Sequence, residues 1–372
     1  MSDAHSARRE RLREHCSASG ADAALITRPA NVRYLTGCPP VGAALLLTRE
    51  RAVLAVPEGA EPGDGGLGGG ERPADPEVTR LPVPAEADAA SVAAEAAARL
   101  RVGDLAVEEH DLTVTRHRAV ARIAGAARLL DLDRAVERLR VVKDEYEIAD
   151  LRIAAEIADQ ALGELLESIL VGRTERHLAM ELERRMIDHG ADRAAFPVSV
   201  GTGSHSGLEH HQPTDRRVEE GDFLTVALGA RYRGYGISTA RTFVIGAAPA
   251  AWQVELHRLV FHAQRAGREA LGPGVEQHVP DDAARSILQA AGHAERSVHA
   301  LGHGIGLEIR EAPRLGPADM GKLDNRVPVT VGPGVHLPGR GGVRIEDTLV
   351  VRPPEEGGPE LLTITTKELL AL

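Results

Sequence analysis

The sequence predicts a mixed α+β protein of two domains, and three observations carry that prediction. Over residues 1–138, short apolar runs alternate with helical stretches, as in a small α/β layer. A long helical stripe then opens a second domain, 139–372, in which strands dominate. Within it, residues 220–246 (EGDFLTVALGARYRGYGISTARTFVIG) read as a strand, a tight turn and a returning strand. Leu224, Val226 and Leu228 alternate there with Thr225, Ala227 and Gly229, the period-2 pattern of a half-buried strand.

Along the first domain, residues 7–18 form a charged amphipathic helix and Ala21 to Thr27 a short strand. Two apolar strands, VGAALLLT and RAVLAVP, flank a charged turn at Arg49–Arg51. Residues 58–79 are rich in Gly, Pro and acid without periodicity and read as a surface insertion. Helices are expected over 85–100 and 113–128, with a strand at DLAVEE between them. In the second domain, apolar positions 148, 151, 155, 158 and 162 make a helical stripe. A further helix begins at Thr174 and ends at Gly190, and others cover 251–270 and 280–292.

With 372 residues, 43% of them hydrophobic, the chain can bury a core in each domain. Its net charge of −11 and the absence of a long basic run argue against nucleic acid as a partner. Cys16 and Cys38 are too few for a disulfide framework, and no CxxC occurs. The polar start, MSDAHSARRERLREHC, lacks the apolar core of a signal peptide. No apolar run of about 18 residues is present, so no membrane association is expected and a cytoplasmic location is the default.

Seven motifs follow one another in order: NVRYLTG at 31–37, LRVVKDEYEIADLRIAAEIAD at 139–159, FPVSVGTG at 196–203, EHHQPTD at 209–215, the 220–246 hairpin, GHGIGLEIREAP at 302–313 and VGPGVHLPGRGGVRIEDT at 331–348. Together they resemble the aminopeptidase P, Xaa-Pro dipeptidase and creatinase superfamily over nearly the whole chain. The resemblance implies a C-terminal pita-bread (creatinase/aminopeptidase) α+β domain with a smaller α/β creatinase-type N-terminal domain. It also implies a homodimer.

The metallopeptidases of that superfamily use five metal ligands. Carried over one at a time, they fall on Ala227, Ser238, His303, Gly332 and Glu346. Gly221–Asp222 before the first position and Arg241–Thr242 after the second fix the register. Only His303 and Glu346 keep a ligating side chain. A two-metal site needs carboxylates to bridge and neutralise its cations, and hard divalent ions favour oxygen donors. Ala227 and Gly332 offer none, and Ser238 offers a neutral hydroxyl. The expectation is therefore no cofactor. A single divalent metal at a rearranged site, recruiting His336, Glu308 or His211, is the alternative.

The resemblance also places His210, 17 residues before Ala227, where the superfamily has a histidine that contacts substrate. Histidine suits a proton-transfer role there. His210, His303 and Glu346 are the expected catalytic residues. Arg310, Tyr235, His336 and Arg344 are the expected substrate-binding residues, with Arg310 able to clamp a carboxylate in bidentate fashion or to pair with Glu346 or Glu311. His211 is read as a solvated neighbour of His210, and Arg241 as structural. The ligand is a small molecule or short peptide. The first functional expectation is a metal-independent hydrolase of a C–N bond. A non-catalytic binding protein and an Xaa-Pro peptidase with an atypical metal site stand beside it.

Overall fold

The structure is a computed structural model. It describes all residues except 1, 38, 40, 60–74, 169 and 294–299. The chain divides into two compact units, one running to Arg140 and one from Val141 to Leu372. Among the described residues no helix is long and apolar enough to cross a membrane.

The first unit is a six-stranded mixed sheet. Its strands lie in the order Val78–Val83, Ala52–Pro57, Ala44–Thr48, Ala23–Ile26, Asp104–Val107, Arg128–Asp131. The charged turn at 49–51 closes an antiparallel pair, Ala44 facing Ala55 and Leu47 facing Ala52. Helix Ala89–Arg99 buries Ala90, Ala93, Ala94 and Ala97 against Leu25, Leu46 and Leu105 of the sheet. Small side chains let this helix approach closely, which is why an alanine-rich run sits here. NVRYLTG lies within helix Pro29–Thr36. Most of the 58–79 segment lies outside the described residues, but its end is not a loop: Val78 opens an edge strand parallel to Ala52–Pro57.

In the second unit, helix Glu145–Leu166 starts at a capping box in which Asp144 and Glu147 satisfy each other's backbone N–H groups. The next helix, Glu175–Asp188, is capped by the Thr174 side chain, which accepts from His177 N. Strands Ser199–Thr202, Phe223–Leu228 and Thr239–Val244 form one sheet, with Ala227 between Ser199 and Ala240. A five-stranded sheet carries Gly302–Gly304 and Asp347–Val350, and Gly334–Leu337 pairs with Gly341–Arg344. A reciprocal backbone bridge between Ala240 and Glu346 (3.1 and 3.0 Å) joins the first of these sheets to the Glu346 segment. The core is a block of aliphatic side chains, among them Val260, Leu301, Val329, Val331, Val343 and Leu349, all buried.

The 220–246 hairpin forms as predicted but is broken in two. Phe223–Leu228 pairs with Thr239–Val244, and beyond Gly229 the short strands Ala230–Tyr232 and Tyr235–Gly236 continue the hairpin. Arg233 and Gly234 close it with φ of 47° and 83°, the left-handed pair of a two-residue turn. The expectation of a half-buried strand is corrected. Thr225 alone among Phe223–Leu228 is not buried, because other parts of the unit cover both faces. The small residues at Ala227 and Gly229 are thus packing residues rather than a solvent face.

Candidate functional site

Glu346 is the centre of the site. Its backbone is held by the Ala240 bridge and its side chain is buried to 2% exposure. One carboxylate oxygen accepts from Ser238 Oγ, and the other accepts from Arg344 Nη2 at 2.5 Å. Burial opposes its charge, but Arg344, His303 and the Ser238 hydroxyl outweigh that and hold the carboxyl below its usual range. Arg241, fully buried, bonds Asp347 at 2.7 Å and the Glu346 carbonyl at 2.6 Å, so it fixes the strand that presents Glu346.

His303 projects from strand Gly302–Gly304, where its N–H donates to Thr330 Oγ1. Its Nδ1 lies 3.1 Å from the Gly304 carbonyl, an arrangement that places the ring proton on Nδ1 and leaves Nε2 free to accept. Burial lowers its pKa; Glu346 pulls the other way, while Arg310 and Arg344 add to the lowering. His336 lies on strand Gly334–Leu337. Burial and then Arg344 lower its pKa, and His210 acts in the same direction. Its Nδ1 is buried without a hydrogen-bond partner among the described residues.

Electrostatic influence thus runs through six of the seven expected residues in two groups that share Arg344. Arg344 connects the two halves: His303, Glu346 and Arg310 on one side, His336 and His210 on the other. His210 and Arg310 are exposed. Arg310 pairs with neither acid considered for it, because Glu346 is held by Arg344 and Glu311 by Lys143 at 2.5 Å. Tyr235 stands apart. It is buried, and its hydroxyl donates to Glu147 Oε1 at 2.8 Å.

The reading of His211 as solvated is corrected. Its side chain is 8% exposed and its Nε2 sits 2.8 Å from buried Glu175. Glu175 and His205, which share that cluster, were missed in the sequence. A glutamate in the first turn of a helix looks like a dipole partner, and no periodicity links it to histidines 30 and 36 residues away.

A model of metallopeptidase family M24 matches residues 149–353, and one of the creatinase/prolidase N-terminal domain matches residues 8–142. The chain belongs to metallopeptidase family M24. It is 32% identical to an Xaa-Pro dipeptidase of Pyrococcus horikoshii over 364 residues, covering 97% of this chain and 98% of that one. An Xaa-Pro dipeptidase of Pyrococcus furiosus is also 32% identical, covering 98% and 99%. The solved structure of an Xaa-Pro dipeptidase from Bacillus anthracis superposes with a TM-score of 0.88 at 30% identity, covering 99% and 100%. An X-Pro aminopeptidase from Thermotoga maritima gives 0.85 at 29%, covering 98% and 100%. The fold is accordingly the α+β pita-bread fold with a creatinase-type N-terminal domain.

This membership corrects the expectation of no cofactor. The family is one of metal-dependent peptidases, and Xaa-Pro dipeptidases match the chain from end to end. The metal-independent and non-catalytic readings find no support in these relatives. The five positions carried over by resemblance nonetheless do not fit a pair of ions. A Cβ placed on Gly332 would meet Glu346 Oε2 and Cγ, so the space for a ligand there is already filled by the neighbouring acid. The Arg344 guanidinium occupies the same carboxylate oxygen. Ala227 supplies a methyl, and Ser238 spends its hydroxyl on Glu346. No catalytic step follows through ions at these positions.

Proposed function

We propose that the chain is a hydrolase of the Xaa-Pro peptidase type, cleaving a C–N bond in a short peptide or amino-acid-like substrate at the cluster around Arg344 and Glu346. The observation that carries this reading is the place of Arg344. It neutralises Glu346 while its charge acts on His303 and His336, so one guanidinium organises two histidines and an acid. Arg310, exposed and without an ion-pair partner among the described residues, is placed to take a substrate carboxylate through a bidentate contact. His303, whose pKa burial lowers, accepts a hydrogen bond or a proton at Nε2. His210, on the exposed turn, exchanges protons with the leaving group and solvent. Nearly full-length similarity to proteins named Xaa-Pro dipeptidase supports the substrate class.

The test is hydrolysis of a panel of Xaa-Pro and Xaa-Ala dipeptides, run with zinc, manganese or cobalt and with chelator. Cleavage that prefers proline on the carboxyl side of the bond supports the reading. Failure to cleave any peptide under every metal condition rejects it.

A further inference from the structure

The described residues hold one group of side chains with a metal-binding donor set, and it uses none of the positions carried over from the family. Glu175 comes from the first turn of helix Glu175–Asp188, His205 from the 3-10 turn Gly203–Gly207, and His211 from the segment that follows. His205 Nδ1 lies 3.0 Å from Glu175 Oε1, and His211 Nε2 lies 2.8 Å from Oε2. The three candidate ligand atoms are all within 4.8 Å of one another. With zinc–ligand bonds of about 2.0–2.1 Å, neighbouring atoms of a tetrahedral site sit roughly 3.3 Å apart. The two histidine–carboxylate separations fall just short of that value, so small ring movements suffice to admit an ion.

The surroundings are those of a supported site. The Glu175 carboxylate is fully buried and oriented by Thr202 N (2.9 Å), Thr214 N (2.9 Å) and Thr214 Oγ1 (2.7 Å). Hydrogen bonds of this kind fix a ligating carboxylate in the direction the ion needs. The His211 carbonyl is anchored by Ser199 Oγ at 2.9 Å. The two imidazole rings lie 4.6 Å apart, centroid to centroid, and converge on the one acid from different segments. His205 is 29% exposed, which leaves an entry path and a fourth position open to solvent.

We propose that Glu175, His205 and His211 bind a divalent transition-metal ion of the zinc class. Two imidazoles and one carboxylate match a borderline-soft cation, whereas magnesium and calcium require more oxygen donors. On binding, each imidazole presents its lone pair to the ion and carries its proton on the other ring nitrogen, His205 Nε2 and His211 Nδ1. Each ring proton moves through solvent from the nitrogen facing Glu175 to the other ring nitrogen, and the two hydrogen bonds to Glu175 give way to bonds to the ion. The ion ties residue 175 to both ends of the 205–211 segment, and so restrains His210 within it. The proposal does not depend on the peptidase reading, because it concerns ion uptake alone.

The experiment is titration of the full-length chain, stripped of metal by chelator, with zinc by calorimetry and with cobalt by visible absorption. The expected result is about one equivalent per chain, with the intense d–d bands of four-coordinate cobalt and a zinc-dependent rise in melting temperature. H205Q/H211Q should lose all three responses, while H303A retains them. Glutamine still donates to Glu175, so the double variant preserves the contacts that hold the loop; circular dichroism checks its fold, and H211Q alone replaces it if it does not fold. A wild-type chain without stoichiometric uptake overturns the proposal. So does uptake that survives H205Q/H211Q, or that is lost in H303A.

Discussion

Glu346 fills the volume in which a side chain at position 332 would begin. A Cβ on Gly332 would approach Glu346 Oε2 to 2.4 Å, Cγ to 2.7 Å and Cβ to 2.9 Å. The last two atoms lie near the backbone and cannot swing aside as a chain terminus would. Gly332→Ala should therefore destabilise the chain by about 1–3 kcal/mol, as overpacking of a filled interior does. Gly332→Glu should cost at least as much and recruit no ion. Thermal denaturation and metal analysis of both variants check this; a stable, metal-loaded Gly332→Glu protein would contradict it.

Arg344 is the only basic side chain bonded to the Glu346 carboxylate among the described residues. Arg344→Ala leaves a buried carboxylate without its countercharge. The expected loss is about 3 kcal/mol, at the low end for a broken buried pair because Arg344 is itself 30% exposed. Since the Glu346 pKa is held low by this partner, its stabilisation is present above the usual carboxylate range and is lost as pH falls through the folded value. The penalty of Arg344→Ala should therefore shrink in acid. Adding Glu346→Gln should recover most of it at neutral pH. Urea melts of the single and double variants at two pH values measure both effects.

His257, buried on helix Ala251–Glu269, has its pKa lowered by burial to about 4. The unfolded chain takes up this proton first on acidification, so the His257 contribution to stability falls between pH ~6.5 and about 4 and levels off below. The loss is at most roughly 3 kcal/mol at the established cost per pH unit. His257→Leu should flatten this part of the stability profile. An unchanged pH dependence in that variant would mean the acid sensitivity lies elsewhere.

Tyr235 and Arg310 separate structure from substrate contact. Tyr235→Phe removes the hydrogen bond to Glu147 and should cost about 1 kcal/mol of stability with KM unaltered. Arg310→Ala should leave stability unchanged and raise KM roughly tenfold at constant kcat, the signature of lost ground-state binding. An Arg310→Ala enzyme with unaltered KM would remove the carboxylate clamp from the site.

Much of the fold was legible because its signals are local. Thr174 announces a helix start, the stripe at 148, 151, 155, 158 and 162 announces a helix, and the alternation at 224–229 followed by a tight turn announces a hairpin. Strand Val78–Val83 was not, since an edge strand with exposed Thr79 and Arg80 carries little apolar pattern. The cluster around Glu346 was read from motif positions, but its wiring was not. Which arginine answers which acid depends on chain segments that meet only in the fold, and Arg344 rather than Arg310 takes Glu346. The Glu175 cluster left no trace in the sequence for the same reason. Its burial makes two histidines from a polar, glycine-containing loop into neighbours of a helix terminus.

One carboxylate, that of Glu175, grips the chain at Thr202 and again at Thr214. The residues between these two points form an Ω-shaped segment whose ends are clamped by the same acid that His205 and His211 meet from within it. Such a segment is a cassette whose exposed tip, Leu208 and Glu209, can change while its termini stay in register with strand Ser199–Thr202. Selectivity for new amino-terminal or carboxyl-terminal groups is best sought by randomising Leu208 and Glu209, with Glu175, Thr202, Thr214 and the three histidines left intact.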